Sequence, residues 1–553
     1  MIFPIVLLVV LNSLPHALAA PPVDPAASSY VGSTTSDIFP PVGATVTADA
    51  EYFPDAEQVG FPGPTPTGAE PEAIATAPAA ALNYDTYPLV APLLQSFASA
   101  EAAFNPMRYW GNLSPWFSDK AAFGLTETSP QVPAGCELEQ VHLLYRHGAR
   151  YPTSGSAPSE LAATLHSAAT SEGFNANGPL AFLNTWTYKL GAEVLTPFGR
   201  GQPFNLGIGF RTKYGELLNE FTDLPVFRTT SEDRMLKSAL NFAAGFFGVP
   251  DYLTSYNQLI IIENSGYNNT LAPWNACENA NNADTDLSGW ASGNWTQIYL
   301  RDAVSRLQPY LSGFNLTASD VYAMQQLCAY ETVALGYSEF CGLFTPEEWE
   351  GFEYAIDLSF WYGDGPGFPA AAAQGIGYVQ ELLARLTKTP ITTFDTSLNA
   401  TLDGSNITFP LNQPIYADAT HDTVIANIIT ALNFTSLAAN GPLPIDHIPA
   451  DQTYHVRHIA PFSSNLVTQV MSCPASASNS TAEIYIRFLL NDGAVPLTGI
   501  AHCETPNKDG LCLLSDFVQG MQERIAQVDF AYDCFGNYTV PNPDPIVDGR
   551  MIQ

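Results

Sequence analysis

The chain has 553 residues, 46% of them hydrophobic, and a formal net charge of -34 from 54 acidic against 20 basic side chains. That charge repels nucleic acid and anionic membranes at neutral pH, so neither is an expected partner. In acid many of those carboxyls are neutral, and the composition suits a protein that must avoid acid-induced self-repulsion.

Residues 1–19 read as a secretory signal peptide. Met1-Ile2-Phe3-Pro4 opens an apolar run to Leu11, and Ala17-Leu18-Ala19 precedes the small residue Ala20, with cleavage expected after Ala19 or Ala20. No later stretch approaches the roughly 18 consecutive apolar residues of a membrane span, so a soluble, secreted, extracellular protein is expected. Residues 20–100 are rich in Pro, Ala, Thr and Gly and carry no lysine or arginine. Phe61-Pro62-Gly63-Pro64-Thr65-Pro66 cannot sustain a helix or a central strand, which predicts an extended arm or linker that does no chemistry. Eight cysteines and nine N-x-S/T sequons, at Asn112, Asn268, Asn294, Asn315, Asn399, Asn406, Asn433, Asn479 and Asn537, fit an oxidised, glycosylated chain.

The mostly apolar run Val141-His142-Leu143-Leu144-Tyr145 fits a buried strand, and Arg146-His147-Gly148-Ala149-Arg150-Tyr151-Pro152 follows it. A neutral imidazole is a nucleophile, and paired guanidiniums offer fixed forks of donors that match phosphoryl oxygens. The cargo this implies is a phosphate ester. The blander alternative makes His147 a core or turn residue and its arginines a solvated rim. Against it, the chain has only fourteen arginines, and two flank one histidine.

A second piece begins with the short strand Leu224-Pro225-Val226-Phe227, which leads to Arg228. Thr230 and Asp233 resemble a capping box before a helical stripe of Met235, Ala239, Phe242 and Phe246. Arg228 thus sits between a short apolar strand and a helix start; in the blander alternative Arg228 or Arg234 merely pairs with Glu232 or Asp233. The third piece is Ile415-Tyr416-Ala417-Asp418-Ala419-Thr420-His421-Asp422, followed by a stripe of Val424, Ile425, Ile428, Ile429 and Leu432. It places His421 and Asp422 at a helix start, where free amides and the helix dipole favour an anion. There His421 can donate to a phosphoryl oxygen and Asp422 can supply a leaving-group proton, or Asp422 is simply an N-cap.

Together these motifs, with Leu195-Thr196-Pro197-Phe198-Gly199 between them, resemble the secreted fungal histidine acid phosphatases, the family that includes the acid phytases. The resemblance runs in order over residues 105 to 540. It implies His147 as nucleophile, Arg146, Arg150, Arg228 and His421 as the phosphate-holding groups, and Asp422 as proton donor. It implies no cofactor and no metal, because cationic side chains fill that electrostatic role. Cys328 with Cys341 and Cys503 with Cys512 span short loops; the resemblance adds Cys136 with Cys473 and Cys277 with Cys534. Thr153-Ser154-Gly155 lacks the lysine of some phytases, and Arg200 replaces the commoner acidic residue after Gly199, which leaves substrate preference open.

The resulting expectation is a histidine acid phosphatase acting on small phosphate esters, with broad phosphomonoesters favoured over phytate because the chain has only six lysines. A catalytically inactive phosphate-binding module, a mutase-like enzyme and a hydrolase of another class are the competing readings. The last would need its own motif, and no G-x-S-x-G, H-E-x-x-H, P-loop or zinc cluster occurs. The expected fold is α/β: a mixed central sheet flanked by helices, with an inserted, mainly helical second domain. In numbers, 101–231 is the first catalytic part, 232–385 the helical insert and 386–553 the second catalytic part.

Overall fold

A computed structural model describes residues 104–551 apart from 126–127, 172, 475–481, 506 and 542–543, together with Phe53, Thr65, Gly68 and Ala69. The expected signal segment 1–19 lies outside the described residues, as does most of 20–100. What is described of the latter docks on the body: Thr65 N–H donates to Ser231 O at 2.8 Å, and Ala69 N–H to Ala192 O at 2.9 Å.

The strand before the first motif is β1 (Glu137–Arg146). Its Val141, Leu143 and Tyr145 alternate onto one face against Phe210, Phe242 and Phe246, while Leu144 faces the other core. Because helices cover both faces, its buried stretch Val141 to Tyr145 is apolar but for His142. Strands β2 (Asn175–Ala176) and β5 (Leu311–Ser312) form a small separate ribbon. The main sheet adds β3 (Val226–Thr230), β4 (Asn257–Ile261), β6 (Ile415–Thr420), β7 (Asn465–Cys473), β8 (Glu483–Leu490), β9 (Gly493–Ala494) and β10 (Cys512–Leu513). Its order is β10-β8-β7-β1-β6-β3-β4, with β9 on β8. Strands β1, β6, β3 and β4 are parallel, and β7, β8 and β10 are antiparallel, so the sheet is mixed as expected.

Helix α1 (Ala157–Thr170) precedes α2 (Pro197–Tyr214) and α3 (Asp233–Phe247), and the last two cover one sheet face. The helices α4 (Ser288–Tyr299), α5 (Arg301–Leu307), α6 (Ala318–Leu335) and α7 (Pro346–Gly363) form the helical array. Capping boxes Thr317/Asp320 and Thr345/Glu348 start α6 and α7. On the opposite sheet face lie α8 (Ala371–Thr387) and α9 (Asp422–Ala431), followed by α10 (Val456–Ile459) and α11 (Leu514–Gln527).

Two local expectations fail. The stretch from 232 is not yet a helical insert: α3 packs on the sheet through Phe242 and Phe246, and β4 extends the sheet beside β3. Sheet building therefore runs to Ile261 and the helical array starts at Ser288. Nor is there a Thr230/Asp233 capping box, because Thr230 ends β3 and Glu232 is the N-cap of α3 without a capping side chain. The four disulfides are Cys136–Cys473, Cys277–Cys534, Cys328–Cys341 and Cys503–Cys512. The first ties β1 to β7 at their outer ends, holding the strand that carries His147.

Candidate active site

Register makes the site. Parallel β1 and β6 pair Arg146 with Thr420, so the next residues, His147 and His421, leave neighbouring strands at the same level, with ring centroids 5.8 Å apart. This is the carboxyl-end crevice where open α/β sheets bind ligands. Leu195 to Gly199 buttress the turn after β1: a Cβ on Gly148 would lie 1.8 Å from Gly199 O, and one on Gly199 1.8 Å from Ala149 O. Only glycine at both positions permits this backbone approach. Thr196 N–H also donates to Ala149 O at 2.9 Å. Ser463, in the left-handed region at φ 64°, donates its N–H to His147 O at 2.9 Å.

His147 Nδ1 lies 2.7 Å from Gly148 O. A carbonyl only accepts, so Nδ1 carries the proton and Nε2 keeps the lone pair. Burial first, then Arg146, Arg234, Arg150 and His421, push its pKa well below the ordinary value. Each of these influences favours the neutral, nucleophilic imidazole over the protonated one.

Every cation around it is matched by a carboxylate. Arg146 Nη2 meets Asp422 Oδ2 at 2.6 Å, and Arg234 Nη2 meets Glu232 Oε2 at 2.7 Å. Glu193 Oε2 lies 3.2 Å from Arg234 Nη1 and 3.7 Å from Arg150 Nη1, and His421 Nε2 lies 3.0 Å from Glu263 Oε2. Glu193 is held there in a left-handed backbone at φ 63°. Buried Nε atoms of Arg146, Arg150 and Arg234 nevertheless lack partners, leaving donors suited to an oxyanion. Glu232, Glu263 and His421 place ligand atoms within 4.8 Å of one another, but Arg234 already supplies the counter-charge to Glu232.

A profile of the Histidine phosphatase superfamily (branch 2) matches residues 137–491. The chain is 33% identical to Phytase A of Aspergillus oryzae over 458 residues, covering 78% of this chain and 93% of that protein. It is 35% identical to Phytase A of Emericella nidulans over 436 residues, covering 75% and 88%. The crystal structure of the phytase from D. castellii superposes with a TM-score of 0.64 at 28% identity, covering 80% of this chain and 92% of that one. The chain belongs to the histidine phosphatase superfamily, branch 2. It is a phosphatase of the histidine acid phosphatase type.

Measured against the sequence reading of this phosphatase, the structure brings His147, Arg146, Arg150, His421 and Asp422 together and leaves Arg228 out. Arg228 pairs in register with Asp418, two residues below the strand end, and is 1% exposed. Its guanidinium is spent on Asp418 at 2.7 Å and on Glu381 at 2.9 and 2.7 Å, beside Arg385 and Asp403. Arg234, the second residue of α3, stands among the His147 neighbours where Arg228 was expected. Replacing Arg228 with Met should therefore cost about 3–5 kcal/mol in stability by leaving buried carboxylates uncompensated. The affinity of the folded enzyme for inorganic phosphate should change little. Arg234→Ala should do the reverse. Denaturant unfolding and phosphate inhibition constants for both variants check this, and weakened phosphate binding in a stable Arg228→Met enzyme would refute it.

Sequence reasoning also missed Asn112, Glu193 and Glu263. Asn112 was counted as a glycosylation sequon, yet its Nδ2 donates to Asp422 Oδ2 at 2.8 Å and its carbonyl accepts from Arg146. Glu263 had a legible signal, a carboxylate just beyond the apolar run Leu259-Ile260-Ile261-Ile262. Glu193, two residues before Leu195, had none. Asp422 is the first residue of α9 and His421 its N-cap, so the alternative of an Asp422 N-cap is not what forms.

Proposed function

We propose that this enzyme is an extracellular acid phosphomonoesterase of broad specificity that works through a phosphohistidine. His147 Nε2 attacks phosphorus in line and the ester P–O bond breaks, while Asp422 protonates the leaving oxygen. Water then attacks the P–N bond with Asp422 as base, releasing inorganic phosphate and neutral His147. Arg146, Arg150, Arg234 and His421 stabilise the equatorial oxygens. The observation that carries this reading is the free, neutral Nε2 of His147 among three guanidiniums. Four disulfides, and the lack among the described residues of any helix long and apolar enough to cross a membrane, accord with an extracellular setting.

Substrate breadth follows from charge. Three site arginines face Glu193, Glu232 and Asp422, and His421 faces Glu263, which suits one phosphoryl group better than a densely anionic ligand. The second reading is phytase, favoured by the Phytase A relatives and the D. castellii structure. The ratio of kcat/KM for phytate to that for a small monoester, measured between roughly pH 3 and 5, separates the two. A phytate preference above about tenfold, or ~1.4 kcal/mol in transition-state binding, would make phytase the primary activity.

The same carboxylates set the pH response. Burial raises the Glu232 pKa above its ordinary value, and Glu263 and Glu193 add to this against the pull of Arg234 and His421. Glu232 is thus neutral in acid and becomes an anion beside the phosphate-holding Arg234 as pH rises through its shifted pKa. Glu232→Gln, neutral at every pH, should leave kcat/KM near wild type in acid and raise it near neutrality, where the wild-type carboxylate competes with phosphate for Arg234. Parallel pH profiles would count against the assignment.

A further inference from the structure

Away from the phosphate site, a second cluster lies between α7 and the segment that opens α10. Glu353 and Asp357 stand one turn apart on α7, and His455 precedes α10. Glu353 Oε1, Asp357 Oδ2 and His455 Nδ1 lie within 4.8 Å of one another, with Nδ1 3.9 Å from Oε1 and 3.6 Å from Oδ2.

Hydrogen bonding decides the electronic state of these atoms. His455 Nε2 lies 3.2 Å from Gln452 O, so Nε2 carries the proton and Nδ1 presents its lone pair to two carboxylates. Asp357 Oδ1 accepts from Val456 N–H at 2.7 Å and Oδ2 from Gln452 Nε2 at 2.7 Å. Glu353 Oε2 pairs with Arg457 Nη1, but Oε1 has no hydrogen-bond partner in a side chain only 5% exposed, and buried Nδ1 has none either. His458 faces Asp119 at 2.9 Å and accepts from Arg457, so it does not compensate them. Glu353 Oε1 and His455 Nδ1 thus converge without a hydrogen-bond partner beside an Asp357 Oδ2 that Gln452 holds in place.

We propose that Glu353, Asp357 and His455 bind a divalent transition cation, with zinc as the chemical match. One imidazole nitrogen and two carboxylate oxygens form a donor set that zinc takes at about 2.0–2.2 Å in tetrahedral geometry, leaving a fourth position for water. His455 is 26% exposed and gives the cation a way in. The two carboxylates and Arg457 sum to a single negative charge, which the cation reverses. Such an ion would clamp α7 to the segment whose Ala460 O accepts from Arg146 at 2.9 Å and whose Ser463 holds His147.

The test is zinc titration of the chelator-treated full-length protein near neutral pH by calorimetry, paired with thermal unfolding and with cobalt absorption as a report of nitrogen ligation. The expected result is one equivalent that is lost in Glu353→Gln and in His455→Ala, with the zinc-induced rise in Tm lost alongside. It should be retained in Glu263→Gln, which disrupts the other carboxylate-imidazole group. Circular dichroism, with His455→Gln as a second variant, confirms that the folded state is compared. Binding that survives both cluster variants, binding lost only in Glu263→Gln, or no zinc uptake at all would overturn the proposal.

Discussion

His147→Ala should lower kcat/KM for an aryl phosphate by at least a thousandfold while the protein unfolds at a similar denaturant concentration. Removing a covalent nucleophile removes the reaction path rather than one stabilising contact, so the loss exceeds the roughly hundred- to thousandfold typical of a single oxyanion donor. The fold should tolerate the change, because the turn is held by its backbone: His147 O accepts from Ser463, and Gly148 packs on Gly199. The His147→Ala protein should still bind inorganic phosphate through Arg150, Arg234 and His421. Residual turnover above about a tenth of wild type would dismiss His147 as nucleophile, since a tenfold loss is only about 1.4 kcal/mol.

Asp422→Asn should slow an alkyl phosphate by about a hundredfold or more and a nitrophenyl phosphate far less, because only the poor leaving group needs a strong acid. The free enzyme sets a condition on this role. Burial raises the Asp422 pKa, but Arg146, the Asn112 hydrogen bond, Arg150 and His421 outweigh it and hold the carboxyl at about 2. A carboxyl with a lowered pKa is ionised throughout moderately acidic solution. It becomes an acid when a bound phosphate claims Arg146 and brings negative charge alongside, both of which raise its pKa. The alkaline limb of the kcat profile should accordingly lie higher than the free carboxyl would allow. Equal losses for the two esters in single-turnover measurements would reassign Asp422 to charge balance for Arg146.

Much of the site was legible in local sequence because the residues proposed as nucleophile and donor each follow a strand. An apolar run that ends in Arg146-His147-Gly148, and another that ends in Thr420-His421-Asp422, place side chains at strand ends whatever the order of strands. The need for glycine at 148 and 199 was not readable, because it comes from a tertiary approach of two backbones some fifty residues apart in the chain. Spacing suggested the short-loop pairs Cys328–Cys341 and Cys503–Cys512, whereas Cys136–Cys473 and Cys277–Cys534 came from the family resemblance.

What local sequence could not decide is which arginine of Arg228 and Arg234 reaches the pocket. Both flank the same strand end, and the choice rests on the β3–β6 register, which puts Arg228 level with Asp418 and inside the sheet. Arg228 lies two residues below the end of β3 and is a buried counter-ion, whereas Arg234 lies beyond it on α3 at the pocket. Asn112, Glu193 and Glu263 reach the site from segments far apart in the chain, so no spacing rule links them to His147. The sequence alone determined the class of chemistry, because a nucleophile and its acid need particular residue types at strand ends. Only the tertiary structure decided the charge balance around them, because carboxylates brought in by separate loops act through distance, which the chain order does not encode.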